Sequence, residues 1–206
     1  MSKEVLGIIG GGQLGSMIAA AAKKLNIKTI VFCDDPDAPA QKFSDEFIYG
    51  KYNDINSINK FVDKVDLVTF EFENIPYETL NEINKIKPVM PKPSVNRLIQ
   101  HRLAEKDFIN KLNIRTTQYV SIKKISEIHS IQKLLPGILK TTTLGYDGKG
   151  QHKINSIEDL KDLDIDFSKE YILEKLVKLK NEISVIITRF DYEKFEIYEP
   201  IENVHE

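Results

Sequence analysis

The apolar positions of the first ninety or so residues fall alternately into short compact runs and into helical spacings. Val5 to Ile9 is a run of the kind a buried strand requires. Leu14, Met17, Ile18, Ala21 and Leu25 then recur every three or four residues, which predicts a helix with those side chains on its inner face. Lys28 to Phe32 predicts a second strand, closed by Asp34-Asp35-Pro36, and Glu46 to Tyr49 a short third one. Ile55, Ile58, Phe61, Val62 and Val65 predict a helix with Asp54 as its N-cap. Leu67 to Phe72 reads as a strand, Tyr77 to Ile86 as a helix and Val89-Met90 as a brief strand. Strands alternating with helices predict a parallel, doubly wound α/β sheet.

Pro88, Pro91 and Pro93 interrupt the pattern and place a domain boundary, dividing the chain into 1–93 and 94–206. Beyond it the periodicity predicts helices over Ser94 to Gln100 and Leu103 to Leu112, a strand over Thr117 to Ile122 and a helix over Ile125 to Leu135. A short helix is expected at Ile157 to Leu163, then strands at Tyr171 to Val177, Glu182 to Phe190 and Lys194 to Tyr198. This second region reads as α+β with a largely antiparallel sheet. The residues from Glu199 to Glu206 hold neither a closing helix nor a polar tail, so the sequence stops as though within a sheet.

Composition narrows the partners. Twenty-nine basic against thirty-one acidic side chains give a net charge of −2, which recommends neither nucleic acid nor an anionic membrane. The single cysteine, Cys33, excludes an internal disulfide and a thiolate metal cluster, and its place after an apolar run predicts a passive buried thiol. The stretch from Val5 to Ala22 has the outline of a secretory signal, but Gly7, Gly10, Gly11, Gly12 and Gly15 break its apolar core. No other stretch approaches the roughly 20 apolar residues of a membrane helix. A cytosolic protein is expected.

Two glycine motifs carry the chemistry. Gly10-Gly11-Gly12-Gln13-Leu14-Gly15 fits G-x-G-x-x-G between a strand and a helix, with Asp34 and Asp35 about twenty residues on, where a dinucleotide fold holds its ribose-binding acid. Taken alone it supports an NAD- or FAD-dependent oxidoreductase, although such glycines also serve a tight turn that binds no dinucleotide. The second motif, Gly145-Tyr146-Asp147-Gly148-Lys149-Gly150-Gln151, lies between two strand-like segments, with Lys140 on the strand before it. Glycines let backbone amides approach a polyphosphate and the lysine adds a fixed positive charge, so this hairpin reads as a nucleotide clamp or as an ordinary Asp-Gly turn. Downstream, backbone groups of Glu174, Lys175, Leu176 and Val177 form a candidate adenine edge, and Glu182 a candidate acceptor for ribose hydroxyls; the alternative for Glu174 and Glu182 is a pair of solvated strand ends.

In family order, Ile8 to Gly15, Thr69-Phe70-Glu71-Phe72-Glu73-Asn74-Ile75, Arg102-Leu103-Ala104-Glu105-Lys106, Lys140-Thr141-Thr142, Gly145 to Gln151, Glu182-Ile183-Ser184-Val185 and Glu202-Asn203-Val204-His205 resemble the carboxyaminoimidazole ribonucleotide synthase family of the ATP-grasp superfamily. The resemblance spans essentially the whole chain. It implies a Rossmann-like pre-ATP-grasp domain followed by part of an ATP-grasp domain, with a lid subdomain over roughly residues 115–176. It implies ATP-dependent carboxylation of aminoimidazole ribonucleotide by bicarbonate through carboxyphosphate, with ATP and Mg2+ as cofactors. Arg102, Lys140, the loop from Gly145 to Gln151, Glu174 to Val177, Glu182 and His205 would hold ATP. Gln13, Glu73, Tyr146, Asp147 and Lys149 would face the substrate, with Lys149, Tyr146 and Asp147 the catalytic set. For Glu73 the plain reading is a strand-end carboxylate capping the Asn74-Ile75-Pro76 turn, and for Gln13 a solvated first-turn residue. A homodimer is also implied.

Two departures stand out. Leu144 takes a position where the family usually has glycine, which implies a less mobile phosphate loop. The family's magnesium ligands, and its arginine-bearing loop, come after the point matching residue 206, so no residue of this chain is expected to ligate the metal. The sequence is therefore expected to be the N-terminal part of such an enzyme, by truncation, by a partial reading or by a separately encoded C-terminal half. Alternatives are another ATP-grasp carboxylate-amine ligase, a non-catalytic nucleotide-binding remnant and, least favoured, an NAD-dependent oxidoreductase.

Overall fold

The computed structural model describes residues 4–124, 127, 132–143, 145, 150–163, 165, 166 and 168–204. Its first sheet joins β1 (Val5–Ile9), β2 (Lys28–Cys33), β3 (Glu46–Tyr49) and β4 (Leu67–Phe70), all parallel, in the order β3-β2-β1-β4. Helices α1 (Gln13–Lys24), α2 (Ile55–Val62) and α3 (Tyr77–Asn84) make the crossovers. Neighbouring strand residues point to opposite faces, so one run feeds two cores. Ile9, Ile30 and Phe32 meet Phe61, Val62, Leu80 and Ile83 in one, while Ile8 and Val31 meet Ala19, Cys33, Ala38 and Ala40 in the other. The Phe32 and Phe61 rings stack with centroids 5.5 Å apart. The α2 N-cap is Asp54, as the sequence predicts, and its carboxylate accepts from the Asn56 amide.

Helix α1 corrects the sequence reading. Its buried face is Gly15, Ala19 and Ala22, whereas Leu14, Met17 and Leu25 are more than half exposed. The cause is close approach, since a Cβ at Gly15 would lie 2.7 Å from the Gly10 carbonyl oxygen. Only small residues let the helix seat on the strand turn, so Leu14, Met17 and Leu25 face away, while Ile18, as the spacing predicts, packs against the edge of the core. The expected strand at Val89-Met90 is a single parallel bridge from Val89 to Val68, and β4 ends at Phe70 rather than Phe72.

After α4 (Pro93–Ile99) and α5 (Arg102–Lys111) comes an antiparallel sheet of β5 (Tyr119–Ile122), β6 (Gly137–Thr141), β7 (Gln151–Ile154) and β8 (Tyr171–Lys175), in the order β5-β8-β6-β7. Its core is Ile122, Leu139, Ile154, Leu160, Tyr171 and Leu173. Leu160 comes from α6 (Ile157–Asp162), which a Ser156–Asp159 capping box starts. The helix predicted over 125–135 falls mostly outside the described residues; residues 132–134 form a short 3-10 turn. The predicted strand from Glu182 to Phe190 is two strands, β9 (Glu182–Ser184) and β10 (Ile187–Arg189), broken at Val185-Ile186. β10 pairs with β11 (Phe195–Ile197), and β9 with β12 (Ile201–Asn203), a strand the periodicity did not indicate. Among the described residues no helix is long and apolar enough to cross a membrane.

Candidate functional site

The first glycine turn is filled from within. Gly10 has φ +97°, a conformation glycine adopts without steric cost, and it delivers the chain into α1. Gly12, the N-cap, offers no side-chain cap, and the first turn of α1 holds no acidic residue. Glu71, just past the end of β4, supplies the carboxylate instead: Oε1 accepts from the Gly12 amide and Oε2 from the Gly15 amide, each at 2.6 Å. Both oxygens therefore meet the positive end of the helix dipole.

Beside this turn a cleft of about 250 Å³ opens between the end of the parallel sheet and the antiparallel one, lined by Glu73, Asn74, Gln100, Arg102, Thr142 and Gly145 among others. Gln100 secures one wall by donating to the carbonyls of Glu73 at 2.6 Å and Ile75 at 2.7 Å. Arg102 sits on the other wall, where its amide donates to the Thr142 carbonyl at 2.8 Å and Nη2 to the Gly145 carbonyl at 2.7 Å. Arg102 is the first residue of α5, whose N-cap is His101. His101 Nδ1 accepts from the Ala104 amide at 3.4 Å, which leaves Nε2 to carry the proton toward Glu170, 3.1 Å away. Glu170 also accepts from Ser121 at 2.9 Å and pairs with Lys123 at 3.1 Å. Burial pushes the Glu170 carboxyl up, but the hydrogen bonds from Lys123 and Ser121 and the nearby charge of Lys123 outweigh it and hold the group below its ordinary range.

A second cluster lies on the antiparallel sheet. Glu174 on β8 takes Lys140 of β6 on one oxygen at 2.9 Å and Lys106 of α5 on the other at 3.3 Å. The three side chains are only 12–17% exposed, so the carboxylate offsets two cations that water reaches poorly. The group carries one surplus positive charge, which suits a polyphosphate. The sequence reading did not give Lys106 a role. Its signal was available, because Arg102 and Lys106 are four apart and so share a face of one helix.

The remaining predicted residues are scattered. Gln151 lies opposite Lys140 across the β6–β7 pair. At the end of β8 the Lys175 amide donates to the Gln118 carbonyl, the Lys175 carbonyl accepts from the Thr117 hydroxyl and the Leu176 amide donates to the Pro136 carbonyl, so these backbone groups are engaged within the protein; Val177 is 51% exposed. Glu182 is exposed on β9, where Oε1 accepts from Asn203 at 3.3 Å. Gln13 is exposed at the start of α1 and is not among the cleft residues. Gly150 has φ +69° and its carbonyl accepts from the Thr141 amide. Leu144, Tyr146, Asp147, Gly148, Lys149 and His205 lie outside the described residues. Among the described residues no group of three His, Cys, Asp or Glu side chains fits a metal ion.

Residues 2–100 match the family described as the ribonucleotide synthetase preATP-grasp domain, and residues 107–206 match the ATP-grasp domain. The N5-carboxyaminoimidazole ribonucleotide synthase of Staphylococcus aureus strain COL is 34% identical over 203 residues, covering 97% of this chain and 54% of the relative. A crystal structure of the Staphylococcus aureus N5-carboxyaminoimidazole synthetase with ADP superposes with a TM-score of 0.91 at 33% identity, over 98% of this chain and 55% of that one. The Aspergillus clavatus N5-carboxyaminoimidazole synthase, with ADP and 5-aminoimidazole ribonucleotide bound, superposes with a TM-score of 0.85 at 25% identity, over 99% and 54%. The chain thus spans about half the length of the relatives it matches.

Proposed function

We propose that this chain, which belongs to the ATP-grasp superfamily and carries a ribonucleotide synthetase pre-ATP-grasp domain in front, supplies the N-terminal part of a carboxyaminoimidazole ribonucleotide synthase. The observation that carries the reading is the cleft, which brings Glu73 of the first domain to face Arg102 and Gly145 of the second. In the proposed reaction a bicarbonate oxygen bonds to the γ-phosphorus of ATP as the bond to ADP breaks. The exocyclic amine of aminoimidazole ribonucleotide then bonds to the carboxyl carbon of carboxyphosphate, phosphate leaves and the amine gives up a proton.

Arg102 and Lys140 supply fixed cations for the phosphates, and Glu174 holds Lys140 in place until they arrive. The loop from Gly145 to Gln151 covers the phosphates and, with Tyr146, Asp147 and Lys149, excludes water from the mixed anhydride. Glu73 and Gln13 serve the aminoimidazole ribonucleotide, Glu174 to Val177 the adenine through backbone groups other than the Lys175 amide and carbonyl and the Leu176 amide, Glu182 the ribose, and His205 completes the nucleotide side. Among the described residues no group of three His, Cys, Asp or Glu side chains fits the magnesium expected with ATP, which would offset charge on the phosphates when bound. The reading includes a cytoplasmic enzyme, a homodimer, and a further portion of chain, continuous or separately encoded, to complete the ATP-grasp domain.

Isothermal titration tests it. The chain should bind ATP and aminoimidazole ribonucleotide, and Lys140→Ala should weaken ATP binding about tenfold, equivalent to ~1.4 kcal/mol, without changing ribonucleotide binding. A chain that takes up neither ligand even when joined to the portion that completes its ATP-grasp domain overturns the reading.

A further inference from the structure

Strand–glycine turn–helix folds bind a nucleotide by leaving the amides at the helix start free for its phosphates. Here those amides are taken. Gly12 and Gly15 both donate at 2.6 Å to the two oxygens of Glu71, a residue 59 and 56 positions away. The glycines are shaped to this carboxylate: a Cβ at Gly10 would lie 2.4 Å from the Glu71 Cγ, and one at Gly12 would lie 2.9 Å from Oε1. Glu71 is itself anchored, since its amide donates to the Ile9 carbonyl at 3.1 Å.

We propose that Glu71 is the specificity-determining residue of the Gly10–Gly15 turn: its carboxylate stands in for a ligand's phosphate and closes this turn to nucleotide pyrophosphates. A pyrophosphate entering the cradle would have to displace the carboxylate from both amides or sit against a like charge. The same clamp ties the start of α1 to the segment that follows β4. The inference concerns the first turn alone. Its failure leaves the ATP reading of the second domain standing, and the reverse also holds.

The test is a titration of the 15N-labelled chain with inorganic pyrophosphate and with NADH, following the amide resonances of Gly12 and Gly15. In the native chain they should not move at millimolar ligand. In Glu71→Ala they should shift saturably with pyrophosphate, with affinity raised about tenfold or more. A residue that only caps the helix would cost stability without creating that affinity. Native amides that saturate with pyrophosphate overturn the inference, and so does a folded Glu71→Ala chain whose amides stay still. Glu71→Gln repeats the test where the alanine variant does not fold; removal of the charge alone should raise pyrophosphate affinity, and an unchanged affinity overturns the proposal.

Discussion

The parallel sheet and the terminal ribbons are built from the same kinds of residue and end in opposite environments. Ile30, Val31 and Phe32 on β2 are at most 1% exposed, whereas Ile187 on β10, Phe195 on β11 and Ile201 on β12 are 54–60% exposed. Strand formation needs only backbone pairing and suitable side chains, and both regions have these. Burial needs a second layer. Helices α1, α2 and α3 provide it on both faces of the first sheet, and no described element provides it for β9 to β12. The difference shows that apolar alternation fixes local conformation, while the packing around it decides how much stability each side chain brings.

The sharpest way to break the comparison is at the centre of the first core. Phe61 is fully buried, stacks on Phe32, and its ring occupies the space above Gly7, where an added Cβ would meet Phe61 Cζ at 2.5 Å. Phe61→Ala should destabilise the region built on the parallel sheet by about 3–5 kcal/mol, a large part of the roughly 5–15 kcal/mol that holds a typical domain folded. Chemical denaturation followed by circular dichroism measures it. A loss below about 1 kcal/mol would mean that this core is far looser than its packing indicates.

That first core was largely legible in the sequence, because continuous strand runs and helical spacings each had one plausible partner. Helix α1 was misread since its periodic large side chains, Leu14, Met17 and Leu25, masked the smaller stripe of Gly15, Ala19 and Ala22 that the close turn demands. The candidate site, cleft and lysine cluster together, was half legible. Arg102, Lys140, Glu73 and Glu174 lie in motifs with recognisable chemistry, whereas Glu71, Lys106 and Glu170 have their roles through partners distant in sequence. Glu71 meets residues 56 and 59 positions away, and Glu170 meets His101 across 69. Spacing along a chain does not encode such contacts; only folding creates them.

An intermediate effect is expected where the start of α5 joins the antiparallel sheet through polar rather than apolar contacts. Glu170 gathers His101, Ser121 and Lys123, so Glu170→Gln should cost roughly 1–2 kcal/mol near neutral pH. The sign of the pH dependence follows from its depressed pKa. The native state binds this proton more weakly than the unfolded state, so the stabilisation is complete above the ordinary value of 4.5 and is lost as pH falls through the lowered native one. Melting midpoints of the native and variant chains should therefore differ above that value and converge in acid. A difference that persists or grows on acidification would contradict the assigned partners.

The smallest effect is expected from the same residue type in the other region. Phe195 is 54% exposed and faces Arg189 across the β10–β11 pair, with no described layer above it. Truncation removes little buried area and opens no cavity, so Phe195→Ala should change stability by no more than about 0.5 kcal/mol. Because Phe61→Ala and Phe195→Ala delete identical atoms, the ratio of their costs reads burial directly, free of side-chain chemistry. A cost for Phe195 comparable with that for Phe61 would show that β9 to β12 are covered in solution. Dependence of that cost on protein concentration would then separate association between copies from packing within one chain.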